Sequence, residues 1–276
     1  MISILTDFGL EDTYVAAMKA VIHAIAPSEV VLDLTHNIPP GDIRRGAVEL
    51  WRVAHMLPEG SVVLGVVDPG VGTSRRAVAI HTGHLFCVGP DNGLFSYISQ
   101  RHADESAVEL TNSKYQLPEV SRTFHGRDIF APAAAHIACG LPLDELGASV
   151  VDVQELSAPE LNVQSDASVQ GEILYADRFG NLVTSIGQLT RKARSLRLDP
   201  WIGGADPLEL SIRDPYLTLP DGTPLPLVEA FADAPGNALT AYIGRAGLIE
   251  IAVNGGSAIE RTGVQPGQTV ELRTQG

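Results

Sequence analysis

Short apolar runs alternate with stretches of helical periodicity through the first half of this chain, and that alternation restricts the fold more than any other feature. Ile2–Leu5 and Val30–Leu34 have strand length, and both end among Asp and Thr residues. Between them Tyr14, Val15, Met18, Ile22 and Ile25 recur at the spacing of one helix face, and Pro27 stops the pattern. A helix over about residues 42–56, a strand at Val62–Val67, strands near Ala77–Ile80 and Leu85–Val88, and a helix over Ile129–Cys139 closed by Gly140 and Pro142 continue the series. Such alternation predicts an α/β domain with a Rossmann-like parallel sheet covered on both faces, because each crossover helix must bury its apolar stripe. In open α/β sheets ligands sit beyond the carboxyl ends of the strands. Asp7 and Asp68 both occupy such ends and are candidate site residues.

Around residues 151–169 the rhythm is lost, the chain turns polar and Pro159 appears. Strand-like pieces then dominate: Glu172–Tyr175, Leu208–Ile212, Leu239–Ile243, Leu248–Val253 and Thr269–Leu272, separated by Gly and Pro turns. The expected organisation is an α/β domain over residues 1–152, a linker over 153–168 and a smaller, mainly antiparallel β domain over 169–276.

Composition removes several classes of function. Lys and Arg number 19 against 33 Asp and Glu, a formal net charge of −14. A surface of that sign repels phosphate backbones and anionic lipid, so neither a nucleic-acid nor a membrane partner is expected. No apolar run approaches the roughly 20 residues of a bilayer span. Met1–Asp7 reads as a first strand and not as a signal sequence, which makes the cytoplasm the expected compartment. Cys87 and Cys139 stand alone, too few for a disulfide framework or a zinc site, and read as buried thiols. No GxxxxGK[ST], GxGxxG, GxSxG, HExxH or calcium-loop pattern occurs, so no metal site and no cofactor is expected.

The chemistry concentrates in a few segments. In Val67–Arg76 a strand ends in a carboxylate, turns through Pro69, Gly70 and Gly72, and presents Arg75 and Arg76; its bland reading is a surface turn with an Asp–Arg ion pair. Thr123–Phe130 precedes a helix and carries His125 in a loop beside Gly126, whereas Asp128 reads as a helix cap or dipole partner. Asp177–Asn181 and Gly89–Gly93 are rich in turn-forming residues and read blandly as turns. His81 and His84, flanking a hairpin-like Thr-Gly, read as exposed. Spacing alone thus reaches an α/β enzyme with a possible Asp, Arg and His site.

Taken in order, Leu5–Gly9, Val31–His36, Val67–Arg76, Gly89–Gly93, Thr123–Phe130, Asp177–Asn181 and Leu248–Asn254 resemble the S-adenosyl-L-methionine (SAM) hydroxide adenosyltransferases, relatives of the SAM-dependent fluorinases and chlorinases. The resemblance implies metal-independent hydrolysis of SAM to adenosine and methionine by water attacking ribose C5′. It also implies a homotrimer that binds SAM between subunits. It assigns the catalytic set to Asp68, Arg75 and His125, the ribose hydroxyls to Asp7, the methionine ammonium to Asp177 and its carboxylate to Arg245. Asn181 falls at the adenine edge, Phe124 and Phe231 are candidate stacking faces, and Glu250 and Asn254 lie in a matching segment without assigned roles. Two positions depart from the pattern: Gly244, where relatives often carry a serine that helps hold the methionine carboxylate, and Ser185, where Asn is frequent. Two alternatives stand beside the hydrolase. One is a catalytically idle SAM- or adenosine-binding protein. The other, a SAM halogenase, is disfavoured because halogenases replace the Asp68–Arg76 stretch and lack a counterpart of His125.

Overall fold

The computed structural model describes residues 1–99, 105–165, 168–192, 195–202, 206–211, 214–230 and 233–273. It divides into two compact units, Met1–Leu156 and Ser157–Gly276. In the first unit the chain runs through β1 (Ile2–Thr6), α1 (Tyr14–Ile25), β2 (Val31–Thr35), α2 (Ile43–Ala54), β3 (Val62–Val66), β4 (Ala77–His81), β5 (Phe86–Pro90), β6 (Ser106–Glu109) and α3 (Ala131–Ala138). The sheet order is β2-β1-β3-β5-β4-β6.

Alternating side chains of the central strands feed two separate cores. Ile2, Ile4, Val62 and Leu64 join Met18 and Ile22 of α1 and Phe130 on one face. Leu5, Val63, Val67 and Ile80 join Leu50 of α2 on the other. Both faces are therefore covered, which is why β3 reads as an unbroken apolar run and β1 is buried throughout, its Ser3 included. Asp42 starts α2 where expected, its Oδ1 accepting the Arg45 N–H at 2.9 Å.

The sheet is not wholly parallel. β1 pairs parallel with β2 and β3, and β3 with β5, but β4 is antiparallel to both β5 and β6. Only Thr82–Leu85 separate β4 from β5, too few residues for a crossover. A tight hairpin forms instead, closed by Thr82 N–H to Leu85 O at 2.9 Å, with Gly83 at φ +83°. His84 at this turn is exposed, whereas His81 is half-buried and packs its ring 4.6 Å from Phe86. Cys87 is buried but Cys139, at the end of α3, is exposed, contrary to the expectation for both thiols.

The second unit contains β7 (Leu161–Ser165), β8 (Ser168–Ala176), β9 (Leu182–Thr184), β10 (Leu189–Arg191), β11 (Ser195–Leu198), β12 (Leu208–Ser211), β13 (Tyr216–Thr218), β14 (Pro224–Val228), β15 (Leu239–Ile243), β16 (Ile249–Val253), α4 (Ala258–Thr262) and β17 (Thr269–Arg273). One sheet runs β17-β13-β14-β15-β16-β9-β8-β7, and β17 also pairs with β8, so it closes into a barrel. A β10-β11-β12 meander accompanies it. Pairing is antiparallel except between β14 and β15. β7 lies inside the stretch read from sequence as linker, where its polar Asn162 and Gln164 hide the strand.

Candidate active site

β1 and β3 are adjacent parallel strands, and each delivers one carboxylate just past its carboxyl end: Asp7 after Thr6, Asp68 after Val67. Beyond Asp68 the chain turns back at once. Thr73 Oγ1 donates to Gly70 O at 2.7 Å, and Gly72 takes φ +77°. A side chain at Gly72 would lie 2.5 Å from the Arg122 carbonyl oxygen, so glycine is what lets the 122–124 segment close over this turn. That closure brings His125 to Arg75.

Arg75 is the hub. Its Nε donates to Asp68 Oδ1 and Oδ2 at 3.0 and 3.1 Å, Nη2 also bonds Oδ2, and the same Nη2 lies 2.9 Å from His125 Nδ1. The guanidinium stacks 5.1 Å from the centre of the buried Phe130 ring. Side-chain exposure is only 11% for Arg75 and 5% for Asp68, so the pair is largely shielded from solvent screening. A guanidinium has donors and no acceptor. His125 Nδ1 must therefore accept, and the neutral ring carries its proton on Nε2. Burial holds the His125 pKa below the ordinary value, Arg75 pushes it further down, and Asp68 and Asp128 oppose the shift.

Asp7 is half-buried and accepts the Gly41 N–H at 2.8 Å through Oδ2. Burial raises its pKa, the nearby Asp68 charge adds to the rise, and the Gly41 bond opposes it. Phe124 lies in a three-ring cluster, 6.1 Å from Phe8 and 5.2 Å from Tyr14, with Phe8 and Tyr14 5.8 Å apart. Asp128 does not cap the helix. His125 does not lie in a loop: it opens a π-helical turn, Gly126–Phe130, within which Asp128 is fully buried, takes the Ser121 N–H at 2.8 Å and pairs with Arg127, fastening residues 121–124 ahead of it.

His36 supports the Asp7 turn. Thr6 Oγ1 accepts the Phe8 N–H at 3.2 Å and also hydrogen-bonds His36 Nδ1 at 2.9 Å. His36 O takes the Gly9 N–H at 2.8 Å. His36 Nε2 lies 3.1 Å from Asp33 Oδ1, within ion-pair range but angled away from a full hydrogen bond, and Asp33 also meets Lys19 at 2.6 Å. The apolar–polar pattern carried no sign of this role, because the link runs from β1 to the following strand.

The remaining candidates belong to the second unit. Asp177 and Asn181 close one turn: Asp177 Oδ1 takes the N–H groups of Phe179 and Asn181 at 2.8 and 2.9 Å, and Oδ2 takes Asn181 Nδ2 at 3.0 Å. Phe179, at the tip, is 69% exposed and was not singled out from sequence, where it merges into a turn motif. Arg245 is exposed on the β15–β16 hairpin. Glu250 is buried on β16 and accepts the Tyr242 hydroxyl at 2.7 Å; Asn254 follows that strand, half-buried. A Cβ at Gly244 would sit 2.3 Å from Glu250 Oε1, so Glu250 fills the space that a larger residue would need. Ser185 is fully buried and built into the barrel wall, taking the Glu172 N–H at 2.8 Å and donating to Glu160 O at 2.5 Å. Phe231 lies outside the described residues. Among the described residues no cluster of three His, Cys, Asp or Glu side chains is placed to hold a metal. No described helix is long and apolar enough to cross a membrane.

Comparison with known proteins shows the family of this chain. Residues 2–147 match the SAM hydroxide adenosyltransferase N-terminal domain, and residues 171–271 match the C-terminal domain of the same family. The chain belongs to the SAM hydroxide adenosyltransferase family. Relatives of this family member include a protein of Thermus thermophilus named (R)-S-adenosyl-L-methionine hydrolase, 43% identical over 275 residues and 97% of each chain. A Salinispora arenicola protein of the same name is 39% identical, over 98% of this chain and 97% of its own. A fluorinase of Actinoplanes is more distant, 28% identical over 99% of this chain and 97% of its own. Among solved structures, an uncharacterized conserved protein from Thermotoga maritima superposes with a TM-score of 0.84 at 33% identity, covering 99% of this chain and all of the other.

Proposed function

We propose that this protein hydrolyses SAM to adenosine and L-methionine, with water attacking ribose C5′. The observation that carries the reading is the Arg75 guanidinium bridging Asp68 and His125 at the carboxyl end of a mostly parallel sheet. The names of the more similar relatives support the same reaction.

A sulfonium leaves as a neutral thioether, so its departure needs no acid. Water is the difficult partner. Its pKa near 15.7 stands roughly 12 units above an ordinary carboxylate, and forming hydroxide beforehand would cost roughly 16 kcal/mol. Imidazole narrows the gap to about 9 units, but His125 offers Arg75 its lone pair and keeps its proton on Nε2. Water therefore attacks while still neutral, oriented as donor to Asp68 and as acceptor from His125 Nε2–H. As the C5′–O bond forms and the C5′–S pair returns to sulfur, the incoming oxygen becomes strongly acidic, and the Asp68 carboxylate takes its proton. Arg75 fixes both partners. Two carboxylates, Asp7 and Asp68, against the Arg75 guanidinium leave this end of the sheet net negative, which favours a cationic substrate.

Asp7 accepts from the ribose hydroxyls, and Phe124 offers a stacking face. Asp177 already accepts three hydrogen bonds from its own turn, leaving room for one from the methionine ammonium. Arg245 takes the carboxylate. The resemblance further supports a cytoplasmic homotrimer whose sites combine residues from two subunits, without cofactor or metal.

The test is incubation of purified protein with each sulfonium epimer of SAM in ¹⁸O-water, with chelator and without halide. Adenosine carrying the label at its 5′-oxygen, in step with unlabelled methionine, is expected. Bound but intact SAM would favour the idle binder, and 5′-halo-adenosine on adding chloride would favour the halogenase.

A further inference from the structure

Gly89–Gly93 contributes nothing to the proposed chemistry directly, yet its two polar residues sit beneath the catalytic segment for a topological reason. β3 and β4 are not neighbours; β5 lies between them, parallel to β3 and antiparallel to β4. Residues 67–76, leading from β3 to β4, must therefore pass over the carboxyl end of β5. The residues that leave β5 at that end are Asp91 and Asn92.

They grip the two ends of the overpass. Asn92 Nδ2 donates to Val67 O at 2.8 Å, the carbonyl immediately before Asp68. Asn92 Oδ1 is itself held by the Leu94 N–H at 3.2 Å, which fixes which face of the amide points at Val67. At the other end, Asp91 N–H donates to Arg76 O at 3.0 Å, and the Asp91 carboxylate takes Arg76 Nε at 2.8 Å and Nη2 at 2.7 Å. Arg76 immediately follows Arg75, and Arg75 Nη1 points to the same Arg76 carbonyl at 3.4 Å. The Asp91 side chain is 1% exposed, a buried charge whose remaining oxygen is satisfied by the Gln154 N–H at 2.7 Å. Arg76 reaches on to Asp152 Oδ1 at 2.7 Å. The clamp is thus fully hydrogen-bonded, the condition under which a buried polar network rigidifies its surroundings.

We infer that Asp91 and Asn92 are positioning residues for the hydrolysis, clamping the residues before Asp68 and after Arg75 so that the Asp68–Arg75–His125 constellation is set before substrate arrives. The inference rests on the proposed function. It adds two residues that touch neither substrate nor water, and acts through geometry: a displacement near 1 Å at reacting groups costs about 100-fold in rate.

The test compares Asn92→Ala, Asp91→Asn, Asp68→Asn and the Asn92→Ala/Asp68→Asn double variant. Asn92→Ala is expected to lower kcat by about 10- to 100-fold, with KM for SAM within about 3-fold of the parent. It should cost little further in the Asp68→Asn background, because its effect passes through Asp68. A second readout does not depend on turnover: in Asp91→Asn the His125 ring, followed by NMR, should titrate closer to an ordinary histidine as Arg75 loosens. Equal losses from Asn92→Ala in both backgrounds, or unchanged kcat and an unmoved His125 titration, would overturn the clamp. Should Asn92→Ala fail to fold, Asn92→Ser and the Asp91→Asn titration decide alone. Full turnover by Asp68→Asn would instead overturn the functional reading, a distinguishable outcome.

Discussion

Arg75 occupies the one nitrogen through which His125 could act as a base, and the tautomer so imposed makes two predictions. The ring should titrate below the ordinary 6.5, and Arg75→Gln should raise that value, since Arg75 is the second cause of the depression after burial. NMR of the His125 ring checks this, and a pKa at or above 6.5 in the parent would contradict it. The sign for stability follows: below 6.5 the unfolded chain binds a proton that the folded ring still refuses, so folding weakens as pH falls through that window. The second prediction concerns geometry. Arg75→Lys keeps the charge, but one ammonium cannot span Asp68 and His125 as a planar fork does. Its kcat/KM should fall about 100-fold while SAM binding persists; near-parental turnover would show that charge alone suffices. At this scale the sequence was informative where residue type limits chemistry, at Asp68, Arg75 and His125. It placed His36 and Phe179 in matching segments but gave them no role, because their significance comes from a cross-strand hydrogen bond and from exposure at a turn tip.

The strands of the first unit were readable because burial on both faces leaves runs that are apolar almost throughout, as in β3 and, apart from Ser3 and Thr6, β1. The direction of β4 depends on a four-residue hairpin, and β14 was hidden by Pro224 and Pro226, which break a strand pattern without preventing barrel pairing with Tyr216 and Thr218. Closure of the barrel depends on β17 meeting β8, a pairing between residues too distant in sequence for local periodicity to register. Element contacts also carry a prediction for His36, which ties the turn after β1 to β2. His36→Ala leaves the buried Thr6 hydroxyl without its side-chain partner, at about 1–3 kcal/mol. It should raise KM for SAM several-fold by loosening Asp7. His36→Asn can present its amide where Nδ1 stood and should recover most of that loss, whereas His36→Gln, which mimics Nε2, should not. Equal behaviour of Asn and Gln would remove the Thr6 link from the explanation.

On the scale of the whole molecule, the proposed residues divide between the two units: Asp7, Asp68, Arg75, Phe124 and His125 in the first, Asp177, Asn181, Arg245, Glu250 and Asn254 in the second. If each site of the proposed trimer joins the first unit of one subunit to the second unit of its neighbour, complementation will show it. Asp68→Asn disables every first-unit half, and Arg245→Ala disables every second-unit half. Each variant alone should be inactive. Reassembled together from denaturant in equal amounts, random closed trimers contain an intact pairing at about one site in four, so about a quarter of parental turnover should return. If each subunit builds its own site, every site carries one lesion and mixing restores nothing. Each variant refolded alone sets the baseline, so activity above both baselines in the mixture can come only from sites in which the two intact halves meet.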